Sequence, residues 1–173
     1  MPSSNGNRNL KQLITRIRRN HALEHATIHM LSAHNPKSTI VGRSDSHGFF
    51  LYTNLPKLAI EEGAQLALDR LRAGEHRLAI HPNCGTNLLT AGVLSGLAAY
   101  FSIQGSGDQN QQDKLKHLPL AIMSAILGLI IAQPLGTRVQ QYLTTKAEPG
   151  TLEIVSVNRI RSGKGSLYRI LTR

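Results

Sequence analysis

The chain alternates between segments with distinct polar and apolar faces and two segments that lack a charged face. Residues 78–107 contain no Lys, Arg, Asp or Glu, and residues 88–103 are apolar almost throughout. A second uncharged segment covers residues 117–137. An α-helix needs ~20 residues to cross a ~30 Å hydrocarbon layer. The second segment has this length, and the first reaches it together with its flanking residues. The pattern predicts a transmembrane helical hairpin with spans at residues 86–103 and 117–137.

Small residues recur four positions apart in both apolar segments, as Gly92 and Gly96 in the first and as Ser124 and Gly128 in the second. Such spacing lets two helices approach closely in lipid. The polar segment 104–116 predicts a turn in water between them. A buried hairpin in a soluble protein is the alternative, but the rest of the chain offers little apolar sequence to cover two such helices.

The segment before the hairpin begins with an amphipathic pattern over residues 9–33, which predicts one helix. Its apolar positions fall within an arc of roughly 100°, which predicts one buried stripe. These positions are Leu10, Leu13, Ile14, Ile17, Ile28 and Leu31.

The remaining patterns predict a second helix and a small antiparallel sheet. A β-hairpin over residues 38–54 turns at Ser46-His47-Gly48, and a helix follows from Pro56 to about residue 73. Leu58, Ala64, Leu68 and Leu71 share one side of that helix. Further strands are expected at residues 77–80, 151–160 and 166–172. The fold class is therefore an α+β cytoplasmic domain with a two-helix transmembrane hairpin, divided into residues 1–85, 86–137 and 138–173.

The charge distribution predicts an orientation in the cell membrane. Of 20 Lys and Arg residues, residues 1–77 contain 11, residues 138–173 contain 7 and the connecting segment contains 2. The positive-inside rule then puts both termini in the cytoplasm. The first residues are polar, so no signal peptide is expected. Two basic segments beside an anionic leaflet account for the net charge of +10, and no nucleic-acid partner is expected. The single Cys excludes an intrachain disulfide.

Ionisable residues interrupt the apolar stripe of the first helix. His21, Glu24 and His25 lie on the apolar face, with His29 at its edge. Buried ionisable groups are costly unless they are paired, hydrogen-bonded or bound to a metal. Histidines at i and i+4 share one helix face and can share one ion. The H-x-x-E-H order is that of inverted zinc hydrolases, so Glu24 is a candidate general base, third ligand or partner of a ligand.

A second cluster precedes the first membrane span as His81-Pro82-Asn83-Cys84-Gly85-Thr86. His81 and Cys84 have a spacing that lets a nitrogen and a thiolate bind one ion, and thiolate favours zinc and other thiophilic metals. A buried structural Cys and an interfacial, hydrogen-bonded His are the plainer interpretations of these residues.

The two clusters together resemble the YqhQ-like family of predicted metal-dependent bacterial membrane proteins. In that family an H-x-x-E-H-x-x-x-H segment precedes an H-P-x-C-G-T segment at a transmembrane helix. The chain is shorter than typical members and is more similar in size to a compact uncharacterised membrane family with the same motifs. The resemblance implies a metal site at the membrane.

We therefore expect His21, His25, His81 and Cys84 to bind a divalent metal, most simply zinc, with Glu24 as the catalytic base or acid. His29 is either a ligand or orients one. Four protein ligands make a closed structural site, whereas three leave a position for water. The corresponding functions are a membrane hydrolase with a membrane-associated substrate, or a scaffold whose metal, if present, is structural and whose partner is another protein. The lipid bilayer is the expected surrounding in both cases.

Overall fold

The computed structural model describes residues 4–104, 116–163 and 165–173. The chain forms two compact units, Met1–His81 with Gln141–Arg173, and Pro82–Gln140. The segment after the apolar helices thus returns to the unit in which the chain begins.

The first unit is an α+β fold, as the sequence predicts. Its sheet is antiparallel throughout, in the order β1-β2-β4-β3, so β4 from the end of the chain pairs with β2. Its elements are α1 (Ser4–His34), β1 (Val41–Asp45), β2 (Gly48–Thr53), α2 (Lys57–Arg72), a 3-10 helix (His76–Ala79), β3 (Ile154–Arg161) and β4 (Ser166–Thr172).

The core of this unit lies among α1, α2 and the sheet. Side chains from all three are almost completely buried, including Leu23 of α1, Leu68 of α2 and the facing pair Leu51 and Tyr168 of β2 and β4. The Tyr168 hydroxyl donates a hydrogen bond to the Leu55 carbonyl at 3.0 Å, which satisfies its polar end inside the core. The core therefore fixes the second half of α1, where the histidines lie.

The prediction of one continuous buried stripe along α1 is wrong for its first half. Ile28 and Leu31 are buried, whereas the four apolar residues before position 18 are exposed. They are Leu10, Leu13, Ile14 and Ile17. The first half of the helix is held instead through its polar side, where arginines bond to backbone carbonyls. A periodic pattern indicates an apolar face but does not specify what covers it.

Two further expectations fail locally. Residues 77–80 are not a strand, because the amides of Leu78 and Ile80 bond to carbonyls three residues earlier, at Glu75 and Arg77, which makes the 3-10 helix. Leu58 is exposed near the start of α2 although Ala64, Leu68 and Leu71 are buried.

The second unit contains two apolar helices, α3 (Gly85–Gln104) and α4 (Leu118–Val139), and α4 continues into a π-helical turn at Gln140–Thr144. Both helices are long and apolar enough to cross a membrane. None of the most apolar 18-residue window of α3 is buried, and only 17% of that of the second helix is buried. Their apolar side chains are therefore largely uncovered by protein.

The two apolar helices contact each other through only some of the predicted small residues. A Cβ at Gly128 would lie 2.8 Å from the Cα of Ser95, and the hydroxyls of Ser102 and Ser124 are 2.6 Å apart. A Cβ at Gly92 or Gly96 would meet no described atom within 4 Å. The expectation that Gly92 and Gly96 form the helix contact is therefore wrong within this unit, where Gly128 does so.

Candidate metal centre

Four histidine rings from two separate segments form a cluster in the first unit. His21, His25 and His29 lie on successive turns of α1, and His81 follows the 3-10 helix. The ring centroids are 4.3 Å apart for His21 and His25, 5.7 Å for His25 and His81, and 4.9 Å for His29 and His81. A ring nitrogen of His21 lies within 4.8 Å of one of His25. The fold thus brings together histidines that are about 50 to 60 positions apart in sequence.

Backbone carbonyl groups fix the tautomers of the three helical histidines. A carbonyl oxygen only accepts hydrogen bonds, so the ring nitrogen that faces it carries the proton, and the other nitrogen of the neutral ring has the lone pair. The lone pair is on Nε2 of His21 and His25 and on Nδ1 of His29. The bonds join His21 Nδ1 to Thr144 at 3.0 Å, His25 Nδ1 to Ala79 at 2.7 Å and His29 Nε2 to Ile80 at 2.8 Å.

These carbonyl partners are the functional groups that sequence reasoning missed. Ala79 is the last residue of the 3-10 helix and Ile80 follows it, whereas Thr144 ends the π-helical turn. Every residue has a backbone carbonyl, so the sequence contains no signal that selects these three. Metal-binding histidines characteristically donate their second ring N–H to such a group, which orients the ring.

His81 has an unusual protonation behaviour. Burial, reinforced by the neighbouring charges of His29 and His25, lowers the pKa of His81 from 6.5 to about 4. At neutral pH this imidazole is therefore uncharged, which is the form that binds a metal.

Glu24 is buried on α1 between the first two histidines of the cluster. Its side chain packs against β1 at Gly42, where any Cβ would collide with the carboxyl group. Glycine at position 42 thus makes room for a buried carboxylate. The sequence predicts the burial of Glu24 but does not reveal its contact with Gly42.

Cys84 belongs to the second unit and is buried at the start of α3. Its sulfur accepts a hydrogen bond from the backbone amide of Thr86 at 3.4 Å. Its role as a ligand remains a prediction from its spacing to His81.

Polar residues of the first unit that lie outside the cluster have structural roles or lie on the surface. The Asp45 carboxylate accepts a hydrogen bond from the backbone amide of His47 at 2.7 Å, which is the turn interaction expected of an Asp in a β-hairpin. His34 bonds to the Met30 carbonyl one turn earlier in α1, and His76 is exposed.

The fold and the cluster together define a class of protein: a small α+β unit with grouped histidines, connected to two helices of membrane-spanning length. The chain belongs to the family described as Domain of unknown function (DUF6391), whose model matches residues 16–157. That range includes the histidines and both apolar helices. The narrower resemblance to the YqhQ-like family stays a prediction.

A relative in the cyanobacterium Picosynechococcus sp. is an uncharacterised protein. It is 34% identical to this chain over 167 residues, which covers 88% of this chain and 77% of the relative. No solved structure matches the chain.

Proposed function

We propose that the histidine cluster binds a divalent transition metal, most simply zinc, in a protein anchored in the cytoplasmic membrane. The observation that carries the proposal is the set of three tautomers fixed by backbone carbonyls in rings that are already grouped. Orientation of the ring by a second hydrogen bond is the usual feature of a metal ligand.

The proposed ligands are His21, His25, His81 and Cys84, with His29 either as a ligand or as the group that orients His81. Two nitrogens on one tetrahedral zinc ion are about 3.3 Å apart. Ring nitrogens of His21 and His25 lie within 4.8 Å of each other, which supports a shared ion. Cys84 is included on its position three residues after His81 in the chain.

The exposure of the apolar helices supports the proposed membrane location. The core helix of a soluble protein is mostly buried, whereas α3 and α4 leave most of their apolar surface uncovered. The Lys and Arg distribution then favours cytoplasmic termini and an outer connecting segment. His81 precedes the first apolar helix by a few residues, which favours a site at the cytoplasmic face.

The chemistry proposed for the site is metal-dependent hydrolysis, with Glu24 as the base. If three of the four proposed ligands bind, the remaining position would hold a water whose pKa the metal lowers toward ~7, and a carboxylate within reach would accept a proton from that water. The H-x-x-E-H order and the YqhQ-like resemblance support this finer proposal.

A structural metal in a scaffold protein is the second candidate. The histidines of α1 bond to carbonyls of residues 79, 80 and 144, which lie near the two ends of the chain segment 82–140. A metal there would fasten α1 to both connections to the apolar helices.

Metal content of purified protein tests the metal site. Full-length protein without a polyhistidine tag is purified in detergent and analysed by elemental mass spectrometry. We expect about one equivalent of metal in the parent and its loss in His25→Ala and Cys84→Ser. His34→Ala is the matched control, since His34 lies on the same helix outside the cluster, and it should retain the metal.

Circular dichroism checks that each variant is folded, and His21→Ala replaces His25→Ala if the latter is not. A folded parent that contains no metal after anaerobic reconstitution with zinc would overturn the proposal. Loss of metal in His34→Ala to the same extent would also do so. Retention of metal in Cys84→Ser alone would remove Cys84 from the ligand set.

Glu24→Gln separates the two candidate functions. In an enzyme the variant keeps its metal and loses at least ~100-fold in turnover, measured with p-nitrophenyl phosphate and p-nitrophenyl acetate as probes. In a scaffold the parent shows no metal-dependent turnover of either probe, and Glu24→Gln changes metal affinity or stability instead.

A further inference from the structure

The first half of α1 turns its apolar side away from the protein. Leu10 is 55% exposed, Leu13 and Ile14 are 46% exposed, and Ile17 is 36% exposed. At 100° per residue these four side chains fall within an arc of roughly 100°. They form one apolar strip, here called the outer strip of α1.

The opposite side of the same helix segment is polar and bonded to its own unit. Three arginines donate hydrogen bonds to backbone carbonyls of the C-terminal part of the chain. The bonds join Arg16 to Thr172 at 2.7 Å, Arg18 to Thr145 at 2.8 Å and Arg19 to Glu148 at 3.1 Å. A surface helix of a soluble domain normally has the reverse arrangement, with its apolar side toward the core. The described residues of this unit therefore leave the outer strip uncovered.

Exposed apolar side chains also lie in the C-terminal segment that Arg18 contacts. Arg18 donates a second bond, at 2.8 Å, to the carbonyl of Tyr142. The side chains of Tyr142 and Leu143 are each 67% exposed, and both residues lie in the π-helical turn that continues α4. Tyrosine is typical of the boundary between lipid and water at the end of a membrane helix.

We propose that the outer strip of α1 lies on the cytoplasmic surface of the membrane and inserts its four apolar side chains among anionic lipids. Residues 4–23 contain five Lys and Arg residues and no Asp or Glu, so the segment is attracted to an anionic leaflet. The outer strip of a second copy would bring an equally basic segment with it, and like charges oppose that pairing. The inference rests on the proposed membrane location and is independent of the metal.

Single tryptophans test this placement, because the chain contains no Trp. Ile14→Trp puts the reporter on the outer strip, and Gln12→Trp puts it on the other side of the same helix turn. Leu97→Trp in α3 reports on the apolar helices. Each full-length variant is reconstituted into vesicles of phosphatidylcholine alone or with phosphatidylglycerol, with and without brominated acyl chains.

We expect the emission of Ile14→Trp to be blue-shifted and to be quenched by brominated lipid, more strongly with phosphatidylglycerol. The emission of Gln12→Trp should stay red-shifted and be weakly quenched. Equal quenching at positions 12 and 14, or none at either, overturns the proposal. A blue shift at position 14 that brominated lipid does not quench and that disappears on dilution with lipid assigns the strip to a second copy. Equal quenching of Ile14→Trp in vesicles with and without phosphatidylglycerol would show that anionic lipid is not required, and it would overturn that part of the proposal.

Leu97→Trp keeps the two proposals separable. If Leu97→Trp is quenched and Ile14→Trp is not, only the placement of the outer strip fails. If Leu97→Trp is not quenched either, the proposed membrane location itself is wrong. The metal content of the three variants should equal that of the parent, because none of the changes removes a candidate ligand.

Discussion

The histidines of α1 are organised by hydrogen bonds to the backbone. Each of His21, His25 and His29 uses one ring nitrogen as a donor, so the protein and not the solvent determines which nitrogen retains a lone pair. His81 completes the group with a pKa that burial lowers to about 4. At neutral pH His81 is therefore uncharged, and it lies beside rings whose tautomers the backbone selects.

At this scale we predict a specific loss of stability in acid for metal-free protein. The folded protein binds fewer protons than the unfolded chain between the unfolded pKa of His81 near 6.5 and its folded value of about 4. The stability contribution of neutral His81 is thus complete above pH 6.5 and is lost as the pH falls toward 4.

Denaturation of the full-length protein in detergent with a chelator, followed by near-ultraviolet circular dichroism, measures this dependence. His81→Gln should remove up to about one proton from the proton uptake on unfolding in that pH range. His76→Gln is the control, since His76 is exposed. The same pH slope in the parent and in His81→Gln would show that the environment of His81 does not lower its pKa.

At the scale of elements, α3 and α4 approach each other closely at glycines of α4. Gly128 has no side chain where the backbone of Leu94 and Ser95 comes close, and Ser102 and Ser124 add a hydrogen bond. In lipid, such close approach with polar contacts holds helices together because the hydrophobic effect does not. Gly92 lies away from this contact.

Gly128→Val should therefore destabilise the helix pair, because a Cβ at position 128 would come within 3.0 Å of backbone atoms of Leu94 and Ser95. Overpacking of this kind costs about 1–3 kcal/mol. The measurement is the temperature at which full-length protein in detergent loses its monodisperse peak in size-exclusion chromatography. Gly92→Val is the matched control and should behave as the parent. An equal decrease in the two variants would contradict the assignment of the contact to Gly128.

At the scale of the whole molecule, the chain leaves its first unit after His81 and returns at Gln141. Strand β4 then pairs with β2, with Tyr168 opposite Leu51. The sheet is completed only if the segments before and after the two apolar helices are in the same compartment. This pairing supports an even number of membrane crossings between them.

We predict that a fusion at the C-terminus and a fusion between the two apolar helices report opposite compartments. A fluorescent protein that matures only in the cytoplasm should be bright when attached to the C-terminus, and alkaline phosphatase should be inactive there. Inserted between residues 104 and 116, the phosphatase should be active and the fluorescent protein dark. Expression in a bacterial host with both reporters measures this, and the inverse pattern would contradict the predicted orientation.

The sequence by itself determined the class of fold, the two apolar helices and the burial of Glu24 and His25. These properties follow from local periodicity, from the length of uncharged segments and from the cost of burying ionisable groups. Each can be inferred from one continuous segment of the chain. The motif residues His21, His25, His29 and His81 were also identified from spacing alone.

Only the tertiary structure decided which groups meet. It formed a 3-10 helix at residues 76–79, where the carbonyls of Ala79 and of the following Ile80 meet the histidines, and it placed Gly42 opposite Glu24. It also left the strip from Leu10 to Ile17 exposed, although the strip has the same periodicity as the buried half of α1. The physical reason is that periodicity records which side of a helix is apolar, whereas the neighbour on that side is determined by contacts distant in sequence.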